Sequence, residues 1–366
     1  MKKVLILTCN SAGAGHFIAS QAIKKVLKNK ARVKIIDFYK TTSPFIESLM
    51  GSYGFVARNL KPVYRLLYDL FEIKPNDRFV NLFIYELTKE KTADIIKKEK
   101  PDLVINVHSY SGRSFLEYLS ANKVSIPVWN IIMDPITFHK SWLDKRYNLT
   151  LVGTKEAYNK TIKHVPKSKI KILGTILHPK FYKKSLSKNA LRKKYKLSKN
   201  KPVILFTGGG DGIGYNEKII RKILKRKIDA DIIAICGKNA KLYKKIRRYP
   251  IYVVGFTKNI NEYLKMADVI VGKAGPGTLV EAMLYNVPIV MTHYVYGQEK
   301  GNVDYITKNK LGILSKNVDE TVDILDNVCK GKIKFNNNSK YRLDRKSIFV
   351  IRDMILKHLY GIKPSN

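Results

Sequence analysis

Residues 9 to 20 read CNSAGAGHFIAS. They follow an apolar run, VLILT at 4–8, and lead into a helical pattern. Glycines at a strand-to-helix turn let backbone amides approach a ligand, and a helix N-terminus favours an anion there. His16 stands where the loop becomes a helix. An imidazole titrates near neutral pH and so suits general-base work. It suits equally a plainer role, a helix-start residue bonded to nearby backbone. The loop also imitates part of a dinucleotide site, with Asp37 closing the next strand 22 residues after Gly15. Ile18 stands where the third glycine belongs, yet a nicotinamide or flavin oxidoreductase stays open as an alternative.

The strongest element is GKAGPGTLVEAMLYNVP at 272–288. Pro276 fits the first helical position, because its fixed φ is helical and its missing N–H is not needed there. The amides around Gly277 and Thr278, with the Thr278 hydroxyl, are then aimed at an anion. Glu281 lies about one turn further on the same side. A carboxylate there repels phosphate and suits sugar hydroxyls, so the pair reads as a nucleoside diphosphate with its ribose. YGQEKGNV at 296–303 follows the next strand and offers Gln298, Glu299 and Asn302 to a polar sugar. TGGGDGIG at 207–214 places three adjacent glycines after another strand but does not fit a P-loop.

The elements that must position these groups alternate along the chain. Strand-like runs stand at 4–8, 33–37, 103–107, 128–133, 149–153 and 170–174, with helical patterns between. Residues 175–201 carry no strand signal and mark a junction. A second series follows at 202–208, 231–236, 251–255, 268–272, 288–292 and 311–315. Continuous apolar strands separated by helices imply two parallel sheets covered on both faces. We expect an N-terminal acceptor-binding, membrane-docking domain over 1–180 and a C-terminal donor domain over 181–345. Residues 346–366 read as a helix that can cross back to the first domain. Ligands of doubly wound sheets lie beyond the strands' carboxyl ends, so the expected site is the cleft between the domains.

The chain carries 69 Lys+Arg against 29 Asp+Glu, a net charge of +40. Such a surface attracts polyanions: an anionic membrane face or nucleic acid. No recognition-helix or RNA-binding motif accompanies the charge, so nucleic acid is not the expected partner. Cys9, Cys236 and Cys329 form no metal spacing and read as reduced, structural residues of a cytosolic protein. No signal peptide and no stretch of about 20 apolar residues is visible, which leaves peripheral membrane association. Residues 45–73 interleave aromatics and leucines with Arg58, Lys61 and Arg65, the composition of an interfacial helix.

Taken in order, the glycine loop ending in GH, MDPITFHKSW, ILFTGGGDGIG, VVGFTKNI, KAGPGTLVEAM and YGQEKGNV resemble the lipid glycosyltransferases of the GT-B fold. The likeness is to monogalactosyldiacylglycerol synthases and bacterial diacylglycerol glucosyltransferases of glycosyltransferase family 28, and more distantly to the peptidoglycan GlcNAc transferase. The resemblance implies two Rossmann-like doubly wound domains and assigns roles by position. Phe256 would stack on uracil beside Thr257. Gly275, Gly277 and Thr278 would hold the diphosphate, helped by Gly210 and Asn302. Glu281 would bind ribose, and Gln298 and Glu299 the hexose. His16 would be the general base, with Asp134 and His139 on the acceptor side, and Lys273 would help stabilise the departing UDP. Ser11 and Ala12 stand where the galactosyl enzymes carry an acid, so both glucose and galactose remain open, with galactose favoured by the C-terminal motifs.

The expected reaction is inverting transfer of a hexose from a UDP-sugar to a membrane lipid alcohol, such as diacylglycerol or a sterol, at the cytoplasmic face of the membrane. No Asp-x-Asp motif ends a strand, so no metal and no cofactor beyond the donor is expected; an anionic lipid is a candidate activator. A GT-B transferase acting on a cell-wall lipid intermediate is the nearer alternative.

Overall fold

The computed structural model describes residues 1–10, 14–72, 74–182, 186–208, 216–338 and 346–361. Gly210, Ser11 and Ala12 lie outside the described residues, as do the side chains of Arg58 and Lys61. Two compact units emerge. Unit 1 comprises Met1–Tyr182, Tyr296–Gln298 and Asp344–Asn366; unit 2 comprises Lys183–Val295 and Glu299–Leu343.

In unit 1 the strands are β1 (Lys3–Thr8), β2 (Arg32–Asp37), β3 (Leu103–Asn106), β4 (Val128–Ile131), β5 (Leu149–Val152) and β6 (Ile170–Ile172). Its helices are α1 (Ala14–Val26), α2 (Phe38–Thr42), α3 (Pro44–Asn59), α4 (Lys61–Glu72), α5 (Lys74–Glu99), α6 (Ser109–Ala121) and α7 (Lys155–Thr161). All strands pair in parallel in the order β2-β1-β3-β4-β5-β6. Successive residues of β1 serve opposite faces. Val4 and Ile6 pack with Ala19 and Ile23 of α1, while Leu5 and Leu7 pack with Phe38, Phe115 and Leu119 on the other side. Fully apolar strands follow from this two-sided burial.

Unit 2 holds α8 (Lys188–Lys194), β7 (Val203–Thr207), α9 (Asn216–Lys225), β8 (Asp231–Ile235), α10 (Ala240–Ile246), β9 (Tyr252–Val254) and α11 (Ile260–Met266). It continues through β10 (Val269–Lys273), α12 (Pro276–Tyr285), β11 (Ile289–His293), α13 (Lys300–Lys308), β12 (Gly312–Leu314) and α14 (Val318–Cys329). Its sheet runs β12-β11-β10-β7-β8-β9, the doubly wound Rossmann order.

The last helix, α15 (Ser347–Tyr360), lies on unit 1. Ile348, Ile351, Ile355 and Leu359 repeat at helical spacing and join the core beneath α1. The Tyr360 hydroxyl accepts from the Lys2 amide at 3.0 Å and donates to the Lys30 carbonyl at 3.0 Å.

The segment read as one interfacial stretch, 45–73, is two helices, and a third continues them. Pro62 and Pro75 each sit at the second position of a helix, where a missing N–H costs nothing, and Leu60 turns out of helical geometry between α3 and α4. Among the described residues no helix is long and apolar enough to cross a membrane. Cys9 and Cys236 are buried; burial raises the Cys236 thiol, and burial first, then nearby aspartates, push Cys329 up to about 11.

Candidate functional site

The strand order of unit 1 reverses between β1 and β3, and such switch points open a crevice at the strands' carboxyl ends. β1 leads into the glycine loop and α1; β3 leads through Val107 and His108 into α6. His16, in the first turn of α1, reaches across: its Nδ1 lies 2.7 Å from the Val107 carbonyl oxygen. A carbonyl only accepts, so Nδ1 carries the proton and Nε2 keeps its lone pair. Burial lowers the His16 pKa below the usual imidazole value, partly opposed by the Val107 hydrogen bond. The ring is thus neutral at pH 7 with a defined basic nitrogen. The plainer reading is met, since the histidine bonds nearby backbone, and the same bond leaves Nε2 as the basic nitrogen of the neutral ring.

Around His16 stand groups not singled out from sequence. The His108 ring meets it edge-on at 5.2 Å, and Trp142 lies 6.0 Å away. His108 is 6% exposed and its Nδ1 has no hydrogen-bond partner among the described residues. Burial, with the His16 ring adding, pushes its pKa well below the usual range. Below these rings runs a buried polar chain. Asn106 Nδ2 donates to Asn130 Oδ1 at 2.8 Å, and Asn130 Nδ2 donates to the Trp142 carbonyl at 2.8 Å. Asn106 Oδ1 accepts from the His108 amide at 3.3 Å and the Ser111 hydroxyl at 3.1 Å. One asparagine pair therefore fixes both the His108 corner and Trp142. The signal was present in LVINV and VWNIIM: an amide inside an apolar strand must find partners.

Asp134 is buried just after β4. His139 caps the 3₁₀ turn Lys140–Trp142, its Nδ1 accepting the Ser141 amide at 3.1 Å, so in the neutral ring the proton sits on Nε2. His16 and His139 thus present opposite Nε2 characters, an acceptor and a donor. Gln298 belongs to unit 1, where its carbonyl accepts from the Thr137 hydroxyl at 3.5 Å. Asp37, part of the dinucleotide-like pattern, accepts from the Asn10 amide at 3.4 Å, and the pKa of its carboxyl is raised chiefly by burial.

In unit 2 the order reverses between β7 and β10, and the KAGPGT turn stands at that switch point. Gly275 caps α12 in extended geometry, Pro276 takes the first helical position, and among the described residues no side-chain bond caps the helix start. Gly277 is exposed, and a Cβ there would meet nothing within 4 Å. Glu281 is half-buried on the next turn.

Lys273 ends β10 with Nζ 2.6 Å from Glu299 Oε1. The Glu299 side chain is 2% exposed, and its Oε2 accepts from the Val295 amide at 2.7 Å. Both oxygens are engaged by the protein. Glu299 therefore holds Lys273 at the end of β10. Asn302, also buried, donates from Nδ2 to the Ala274 carbonyl at 3.1 Å and so holds the same turn from behind. Phe256 follows the edge strand β9 and is 63% exposed, an open face for stacking. The Thr257 hydroxyl accepts from the Asn259 amide at 3.0 Å and braces that corner.

Comparison with known proteins finds two family models along the chain. Residues 16–176 match the monogalactosyldiacylglycerol (MGDG) synthase family, and residues 203–355 match the glycosyltransferase family 28 C-terminal domain. The spinach chloroplastic monogalactosyldiacylglycerol synthase is 29% identical over 334 residues, 85% of this chain and 63% of that protein. The Arabidopsis thaliana chloroplastic synthase 1 is 29% identical over 347 residues, 88% of this chain and 64% of its own. The chain thus spans under two thirds of these relatives. Among solved structures, Acinetobacter baumannii MurG superimposes with a TM-score of 0.62 at 16% identity, over 98% of this chain and 100% of that one, a likeness of fold. With one match of each kind on this two-unit structure, the chain has the GT-B fold and is similar to the MGDG synthases in its first part and to glycosyltransferase family 28 in its second.

Proposed function

We propose that the protein is an inverting hexosyltransferase that moves a hexose, galactose ahead of glucose, from a UDP-sugar to a membrane lipid alcohol, with diacylglycerol as the first acceptor to test. The observation that carries this reading is His16, locked by the Val107 carbonyl with Nε2 free of the proton, in the half that matches the MGDG synthase family. Nε2 takes the proton of the acceptor hydroxyl as its oxygen attacks the anomeric carbon. The new C–O bond forms opposite the bond to UDP, which breaks with its electron pair going to the diphosphate. General-base assistance of this kind is worth roughly 10² to 10⁴ in rate.

The diphosphate takes the open start of α12, where the Gly277 and Thr278 amides and the positive helix end stabilise developing charge. Lys273, held by Glu299, adds a cation. Phe256 offers its face to uracil and Glu281 its carboxylate to ribose. His139, a donor at Nε2, suits an ester carbonyl or hydroxyl of the acceptor.

The protein works on a bilayer, because its acceptor stays there; we propose the cytoplasmic face. The exposed side chains of α3–α5 support this: Phe45, Leu49, Val63, Leu66, Leu70, Phe79 and Phe83 lie on one helical excursion of a chain with net charge +40.

The deciding assay offers radiolabelled UDP-galactose and UDP-glucose to the protein with vesicles of diacylglycerol, a sterol, or a polyprenyl cell-wall intermediate. Label should enter diacylglycerol from UDP-galactose, with EDTA present or absent. Transfer only to the polyprenyl lipid, or to none, would refute the reading.

A further inference from the structure

Helix α4 has two distinct faces. Val63, Leu66, Leu67 and Leu70, at i, i+3, i+4 and i+7, are exposed, Leu66 at 62%. Tyr64 and Tyr68 lie about a third of a turn round from that stripe. Tyr64 is buried and Tyr68 half-buried.

The Tyr68 ring meets His139 edge to face, centroids 5.3 Å apart and planes at 79°. The ring also lies against Gly297, which has φ +68° and where a Cβ would fall 2.3 Å from the ring. Only a residue without a side chain permits that approach. His139 in turn caps the turn that carries Trp142, and Trp142 lies beside His16. A packed series therefore runs from α4 through Tyr68, His139 and Trp142 to His16, all within unit 1.

We propose that Tyr68 is a positioning residue through which docking of α4 on a bilayer sets His139 and, by way of Trp142, His16. This rests on the lipid-transferase reading. The leucine stripe of α4 is uncovered in water, and a bilayer interface fixes the rotation of an amphipathic helix. A roll of about 20° moves a side chain at the ~5 Å surface radius of a helix by about 2 Å. Displacements of that size at reacting groups are costly: a 1 Å misplacement can lower rate by about a hundredfold. Tyr68 is a rigid ring held against both His139 and Gly297, so it follows the helix instead of absorbing its motion.

The test compares wild type, Tyr68→Phe, Tyr68→Ala and a Leu66→Asp/Leu70→Asp double variant. Vesicles contain phosphatidylcholine, phosphatidylglycerol and diacylglycerol. Three quantities are measured: sedimentation with vesicles, hexose transfer, and diethyl pyrocarbonate modification of His139 read by peptide mass. Vesicles should change the His139 modification rate in wild type and Tyr68→Phe. Tyr68→Ala should sediment like wild type, lose that response, and show kcat lowered about tenfold or more with donor KM little changed. The double variant should lose sedimentation and the His139 response together.

Retained kcat and retained response in Tyr68→Ala would overturn the proposal. So would a loss of sedimentation in step with activity, which would make Tyr68 part of the docking face only. Absence of hexose transfer in wild type would sink the transferase reading, while the His139 response would still decide the coupling.

Discussion

His16 gains its chemistry from where its other nitrogen is tied. With Nδ1 donating to Val107, a neutral ring exposes one basic nitrogen, and burial holds the pKa below the usual 6.5. The base works when unprotonated, so activity falls as pH drops through that lowered pKa. The acid limb of kcat/KM should therefore lie below pH 6.5, and His16→Ala should lose about two to four orders of magnitude in kcat. A pH–rate series on both proteins checks this; an acid limb at or above 6.5, or near wild-type turnover by His16→Ala, would remove His16 as the base. Much at this scale was legible: the histidine, Lys273 and the GPGT turn stood out by type and position. Which way a side chain turns was not. Glu299 shares a motif with Gln298, yet its carboxylate turns in to Lys273 and Val295. Nothing in YGQEKGNV distinguishes the two directions, because both satisfy a polar loop. Glu299→Gln keeps the shape and removes the charge, so it should weaken Lys273's placement and raise donor KM.

At the scale of elements, the strands at the centre of each sheet were readable because they are short apolar runs bounded by breakers, and burial on both faces demands that. The excursion α3–α5 was readable only in part. Apolar content marked it as unlike the rest, but the continuation through α5 shows no strong face of its own in sequence, and it is held by pairs distant along the chain. Asp77 of α5 accepts from Arg113 at 2.6 Å and from the Tyr110 hydroxyl at 3.2 Å, both on α6. The seat of α6 itself depends on one glycine. A Cβ at Gly112 would stand 2.4 Å from the Asn106 side chain and 2.4 Å from the Tyr147 hydroxyl. Those groups belong to the buried network under His108 and cannot move without leaving polar atoms unpaired. Gly112→Ala should thus destabilise by on the order of 3 kcal/mol. It should also lower kcat in the molecules that remain folded, because the Asn106–His108 corner shifts. Thermal unfolding and turnover of the purified variant measure both; an unchanged midpoint would mean the network has slack that its distances do not show.

Over the whole molecule, the charge and the apolar excursion act together. In the proposed docking, a net charge of +40 would draw the protein to an anionic surface, while exposed leucines and phenylalanines would hold it there. The two contributions separate by their response to salt. Each cation near an anionic leaflet contributes roughly 1 kcal/mol, so three or so engaged lysines and arginines amount to about a hundredfold in partitioning. Salt shortens the Debye length and removes that part, leaving apolar insertion nearly untouched. Vesicle sedimentation should therefore fall steeply between low and high salt on phosphatidylglycerol-containing vesicles and change little on purely zwitterionic ones. Replacing Leu66 and Phe79 by Asp should depress binding on both. Among the described side chains these two are the most exposed apolar groups of α4 and α5, at 62% and 71%. If binding were equally strong on both vesicle types at every salt concentration, the charge would have no part in docking, and the basic surface would need another partner.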